Sequence, residues 1–171
     1  MKVDKTLTIY KRLPSSRPDK LMGCGIARRW LDKPVQQINI NIHDAYVIVV
    51  VLEGVGVFTD DQGQKHEMKE GMGFQRIPFQ NHQFEIPKDQ FYSEFFLHIP
   101  RQFYLEMREY GFAHEKNAVL YVEPLHLALN HVYLLADKIN ECHEMQLTSM
   151  LLELSSFAFD LLRKSKEIKT P

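Results

Sequence analysis

The side chains of this chain that could do chemistry are eight histidines, two cysteines and a set of carboxylates in which Glu53 stands out. Three imidazoles and a carboxylate that converge on one cation need an H-x-H pair on a strand, a downstream Glu and a further His beyond a turn. No H-x-H stands near Gly54, His82 is isolated after Pro78, and His43, His66 and His98 are scattered. His126 and His131 lie five apart, which does not present them together as an i, i+4 pair would, and His143 beside Cys142 suits a solvated or capping role. Neither a G-x-S-x-G elbow nor a C-x-x-C pair occurs, and Cys24, between Gly23 and Gly25, reads as a small packed residue. Glu53, Glu85 and Glu94 could form a carboxylate pair, but their spacing fixes no distance. No catalytic residue, metal or cofactor is expected.

Glu53 closes the most strongly patterned stretch of the chain, "YVIVVVLEGVGVF" at residues 46–58. In a strand, Val47, Val49, Val51 and Glu53 share one face and Tyr46, Ile48, Val50 and Leu52 the other. Both faces are apolar, so the strand is expected to be interior on both sides. An unpartnered buried carboxylate is costly. Glu53 is therefore expected either at the rim in water or against a cation, where it would be a polar anchor at the mouth of a ligand pocket. Gly54 and Gly56 permit a bulge or bend at a corner of the fold, and a lone G-x-G without a following helix does not indicate a dinucleotide site.

These side chains must be held by short strands. Up to about residue 98 the chain reads as "KTLTIYK", "LMGCGIARRW", "VQQINI", "YVIVVVLE", "VGVFTD", "QKHEM", "GFQRIP" and "FYSEFFLHI", separated by Pro-, Gly- and Asp-rich turns. That rhythm predicts an antiparallel sandwich or barrel. In the last of these strands Phe91, Ser93 and Phe95 alternate with Tyr92, Glu94 and Phe96, so one face can line a pocket while the other packs on helices.

After Pro100 the spacing becomes helical. "RQFYLEMREYG" is expected to end at Gly111, and a second helix starts from Pro124. Leu147, Leu151, Leu154, Ala158 and Leu161 then recur in steps of four and three, the pattern of a coiled-coil seam or of a helix packed on its own barrel. Met150, Phe157 and Leu162 widen that stripe.

At 171 residues one compact domain is expected: a barrel with its N-terminal arm over 1–100, a helical region over 101–165 and the start of a linker over 166–171. The net charge of -1 and pI near 6.7 supply no basic field to hold nucleic acid, so DNA could be reached only through a domain not present in this chain. The absence of a signal-peptide pattern or an apolar run of membrane-spanning length, with two unpaired-looking cysteines, leads to the expectation of a soluble cytoplasmic protein.

Gly54 and Gly56, Gly71, Ile77-Pro78, His82, the aromatic strand Phe91–Phe96 and the helices after Pro100 occur in an order that resembles the N-terminal effector-binding and dimerisation domain of AraC-type transcription regulators. The resemblance covers roughly residues 20–165; in the turn after Gly71 the family often has Asp where this chain has Met72. It implies a mainly β fold, a cupin-like double-stranded β-barrel (jelly roll) followed by two to three helices. A small-molecule effector, a sugar or related metabolite, would bind in the barrel of a homodimer and shift the arrangement of the arm or of an attached helix-turn-helix domain. The arabinose-binding member of the family has a sugar-contacting arginine where this chain has Glu53, and its contacting aromatics fall on Phe84 and Phe95. The resemblance thus implies Glu53, His82, Phe84, Ser93 and Phe95 as ligand-binding residues, with Leu147, Leu151, Leu154, Ala158 and Leu161 for dimerisation. The alternatives are a stand-alone cupin binding protein or a metal-dependent cupin enzyme.

Overall fold

The structure, a computed structural model, describes residues 6–14, 20–41, 44–113 and 117–165; His43 and the linker expected over 166–171 lie outside them. Strands β1 (Leu7–Arg12), β2 (Leu21–Leu31), β3 (Val35–Asn41), β4 (Ala45–Glu53), β5 (Gly56–Thr59), β6 (Lys65–Met68), β7 (Met72–Arg76), β8 (Asn81–Ile86) and β9 (Gln90–Pro100) come first. Helix α1 (Arg101–Glu109), strand β10 (Val119–Tyr121) and helices α2 (Leu125–Glu141) and α3 (Leu147–Lys164) follow. The strands form two antiparallel sheets, β1-β2-β9-β4-β7-β10 and β3-β8-β5-β6, the jelly roll expected from the sequence.

β4 sits between β9 and β7 in the larger sheet, and its first eight residues are buried. Tyr46, Ile48, Val50 and Leu52 pack in a core shared with the helices; Ala45, Val47, Val49 and Val51 pack between the two sheets. Each such apolar side chain contributes about 1.5–3 kcal/mol of burial, so a strand anchored on both faces fixes the frame for its neighbours. The face meeting the helices is filled by Met22, Cys24 and Ile26 of β2, Phe95, Leu97 and Ile99 of β9, and Val132, Leu135, Leu151 and Leu154 above them. Tyr46 stacks on Tyr104 of α1 with ring centroids 4.2 Å apart.

α1 ends as the sequence predicts. Gly111 takes φ +79°, and the amides of Gly111 and Phe112 donate to the carbonyls of Arg108 and Met107, the paired bonds that close a helix on a left-handed residue. Two strands were not legible. β8 has four polar residues of six ("NHQFEI"), and β10 is three residues long and returns to the edge of the larger sheet after α1.

At the end of β4 the register slips: Val51 pairs with Glu94, but Glu53 pairs with Ser93, two residues against one. Such a bulge reverses the alternation of side chains. Glu53 therefore leaves the face of Val47, Val49 and Val51, where simple alternation puts it, and joins Ser93 and Arg28 on the face that carries the helices.

Candidate functional site

Because alternation along β9 is regular, Tyr92, Glu94, Phe96 and His98 all point between the sheets, opposite Phe95, Leu97 and Ile99. The two sets differ in burial. Phe95, Leu97 and Ile99 have no exposed surface, whereas Glu94, Phe96 and His98 are only partly buried although they lie on an inner face. Opposite them Gly23 and Gly25 of β2 carry no side chains, and the rings of Tyr10 and Phe96 lie where their Cβ atoms would be. Those rings stack with centroids 5.8 Å apart, and His98 meets Tyr10 edge-on at 5.2 Å.

Cross-strand pairing puts Arg76 of β7 opposite Val47, and Val47 opposite His98, so Arg76 lies in the same inner row. Its guanidinium donates from Nη2 to Gln37 Oε1 of the smaller sheet at 2.8 Å, while Nε is buried without a hydrogen-bond partner. Burial lowers the Arg76 pKa, opposed by Glu94, Tyr92 and Tyr10, which all act on it electrostatically. A guanidinium nevertheless stays charged at neutral pH. From β8, His82 is buried with no hydrogen bond of normal geometry at either ring nitrogen. Burial and the nearby Arg76 push its pKa down to about 4, with the Gln80 backbone acting weakly the other way. Tyr92 donates its hydroxyl to Glu94 Oε2 at 2.9 Å, and burial raises its pKa. Phe74 stacks with Phe58 at 4.5 Å and meets Phe84 in a tilted contact at 4.7 Å, an aromatic wall that continues toward His82 and Tyr92.

A cation, a carboxylate and neutral hydrogen-bond donors therefore share one aromatic-lined interior, an arrangement suited to binding a small polar molecule. The sequence profile described as "AraC-like ligand binding domain" matches residues 25–158. The chain belongs to the AraC-like ligand-binding domain family. Among solved structures, the AraC-like transcriptional activator CuxR is similar at 11% identity with a TM-score of 0.58, over 93% of this chain and 63% of that one. ToxT from Vibrio cholerae O395, bound to (E)-4-(8-methylnaphthalen-1-yl)but-3-enoic acid, is similar at 13% identity with a TM-score of 0.52, over 84% of this chain and 57% of that one. This chain thus spans about three fifths of the length of these regulators. No curated protein sequence matches it.

In this AraC-like ligand-binding domain the five residues expected to bind ligand divide between two faces. Phe84 and His82 lie between the sheets. Phe95 lies on the other face of β9, packed among helix residues, and Ser93 beside it donates to the carbonyl of Ala27. The inner face of β9 carries Tyr92, Glu94 and Phe96. Glu53, carried outward by the bulge, accepts Arg28 Nε at 2.8 Å and Arg28 Nη2 at 3.4 Å, and this guanidinium lies 4.2 Å over the Phe91 ring. Arg28 holds the Glu53 carboxyl below the usual range. Glu53 does meet a cation, but on the outside of the larger sheet.

The heptad residues Leu147, Leu151, Leu154, Ala158 and Leu161, expected to face a second chain, belong to the core that α2 and α3 share with the larger sheet, and none is more than 9% exposed. α3 presents that seam to its own sheet because Met22, Cys24 and Ile26 of β2, Tyr46, Ile48, Val50 and Leu52 of β4 and Phe95, Leu97 and Ile99 of β9 form an apolar stretch of the outer face that must be covered. Arg76, Gln37 and Tyr10 were not singled out by sequence reasoning, and Glu94 and Phe96 were named only as a carboxylate of unfixed spacing and as part of the alternating aromatic strand. The composition of β9 held the signal: its helix face is Phe95, Leu97, Ile99, whereas its inner face mixes Glu94 and His98 with aromatics.

Proposed function

We propose that this domain is the effector-binding part of a transcription regulator and that the effector binds between the two sheets, against Arg76, Gln37, Glu94 and the Tyr10–Phe96 stack. The observation that carries this reading is the partly buried, polar inner row of a strand whose outer row is fully buried and apolar. A binding role is favoured over catalysis because family membership and the similar regulators agree with an interior built to hold a molecule. The sugar or related metabolite expected from the resemblance finds hydrogen-bond partners in Gln37 and Glu94. The butenoic acid bound to ToxT is an instance of an organic acid on the same fold.

Because the heptad seam is used internally, we infer that a homodimer would form through the outward faces of α2 and α3, where Leu127, Leu134 and Leu152 are exposed. A groove there is lined by Leu127, His131, Phe157 and Leu161, with His131 stacked on Phe157 at 4.2 Å. Binding to DNA would need a domain outside this chain. The effector reading is tested by thermal unfolding of the chain against a metabolite library, repeated with Phe96→Trp, which fills the interior beside Gly25. Ligands that stabilise the native chain should fail on the Trp variant; equal stabilisation of both would place binding elsewhere.

A further inference from the structure

Each sheet has a short edge strand, β6 in the smaller and β10 in the larger, and a cavity of about 870 Å³ lies against both. Six consecutive residues, Gln64 to Lys69, line it, with Met72 of β7 and Tyr121 of β10. Side chains alternate between the faces of a strand, so a pocket on one face of β6 would meet every second residue. Contact with all six places the cavity along the backbone edge, where among the described residues β6 pairs with β5 alone. Such an edge presents a row of N–H and C=O groups, a template for one more strand. β10 offers less, because it is three residues long and the Tyr121 amide already donates to Ser165 Oγ at 2.8 Å. Lys65 and Glu67 share the outward side of β6, and Lys69 follows in step just past its end. All three are exposed, and none has an ion pair among the described residues. On the other side of the strand His66 stacks on Phe58 and Met68 is buried.

We propose that the edge of β6 docks an extended segment of a partner protein with the pattern acidic-apolar-basic-apolar-acidic. Its main chain continues the smaller sheet, its carboxylates face Lys65 and Lys69, its cation faces Glu67, and its apolar side chains turn toward Met68, Met72 and Tyr121. In strand addition the main-chain hydrogen bonds supply affinity and alternate side chains supply specificity. Opposite charges across a strand pair are favourable and like charges are not. Lys65 to Lys69 spans about 13 Å at the rise of a strand, the length of a five-residue segment. Lysines on a short edge strand guard it against indiscriminate pairing. With Glu67 between them, the same charges reject every strand but one of complementary order. A second copy fits this row less well. Antiparallel pairing of two β6 strands about His66 would set each Lys65 against the other copy's Glu67, but would leave each Lys69 opposite Gly63, which has no charge to offer.

The test uses three acetylated, amidated heptapeptides on the chain. The first is Ser-Glu-Val-Lys-Val-Glu-Ser, the second is its charge-swapped form Ser-Lys-Val-Glu-Val-Lys-Ser, and the third is the first with its three central amides N-methylated. Binding is followed at low salt by backbone amide shifts and amide hydrogen exchange. The first peptide should shift the amides of residues 64–69 and slow exchange in β6. It should bind at least about tenfold more tightly than either of the others. A triple variant, Lys65→Glu, Glu67→Lys, Lys69→Glu, changes only exposed side chains and should keep the circular dichroism of the unmodified chain while preferring the charge-swapped peptide. Equal affinity for the first two peptides, or an unchanged preference in the triple variant, would overturn the charge pattern. Equal binding of the N-methylated peptide would overturn strand pairing. Shifts in β6 that grow with protein concentration in the absence of peptide would hand the edge to a second copy, and no shift with any peptide would remove the docking site altogether.

Discussion

Replacing Leu154 by Ala distinguishes a helix seam that serves the chain's own core from one that serves a partner. Leu154 has no exposed surface and belongs to the cluster that joins α3 to α2 and to the outer face of β2, β4 and β9. Truncating a leucine in such a site removes its transfer free energy and leaves a cavity, for a loss of about 3–5 kcal/mol where the surroundings cannot collapse. Here they are held by a six-stranded sheet on one side and a 17-residue helix on the other, so a value toward the upper end is expected. Against a typical total of about 5–15 kcal/mol the variant remains folded at low temperature. The assay is urea unfolding followed by far-ultraviolet circular dichroism at two protein concentrations about a hundredfold apart, with light scattering on the native samples. Dimerisation coupled to folding would separate the two unfolding curves of the unmodified chain by about 2.7 kcal/mol; the loss caused by Leu154→Ala should be the same at both concentrations, with no change in native mass. A loss below about 1 kcal/mol, or a fall in native mass with unchanged monomer stability, would refute the internal seam. A paired Leu151→Glu, Leu154→Glu change puts two charges into this core and should unfold the chain, so its mass would say nothing of a partner surface.

Gly54→Ala should destabilise by about 2 kcal/mol or more in the same urea assay, since φ is +91° and the new Cβ would lie 2.6 Å from the Phe91 carbonyl oxygen. Gly63→Ala, at φ +80° with open space around it, should cost only about 1 kcal/mol. Stability should fall as pH drops from about 6.5 towards 4, because His82 and His98 are pushed by burial to pKa values of about 4 while the unfolded chain takes up their protons nearer 6.5. The effect is on the order of 3 kcal/mol per histidine at most, and a His82→Gln, His98→Gln variant should show a flatter pH profile over that range in thermal melts. Arg28→Gln removes the partner of Glu53 on the outside of the sheet, so it should change salt sensitivity slightly and leave the urea midpoint nearly unchanged; a large drop in the midpoint would show that the pair holds the end of β4 in place.

Local pattern was enough to fix the element types. Alternation with apolar residues on both faces marked β4 as a doubly buried strand, Gly111 marked the end of α1, and glycines, prolines and aromatics in their order carried the family resemblance. β8 escaped because four of its six residues are polar: Asn81, Gln83 and Glu85 take the outward face, and only Phe84 and Ile86 beside His82 supply apolar residues on the inner one. Which face of a strand looks inward is not a local property. Alternation sorts Phe95 from Phe96 without saying which set lies under the helices, and a one-residue bulge after Val51 reversed the face of Glu53. The heptad in α3 likewise specifies an apolar stripe without specifying its partner. The burial of that stripe on the sheet, and the meeting of Arg76 of β7, Gln37 of β3, His82 of β8 and Glu94 of β9 in one interior, depend on strands far apart in the chain being brought together. The sequence by itself determined a jelly roll with helices and its family. Tertiary pairing alone decided which charges the interior holds, because register and layer packing, rather than spacing along the chain, set the distance between them.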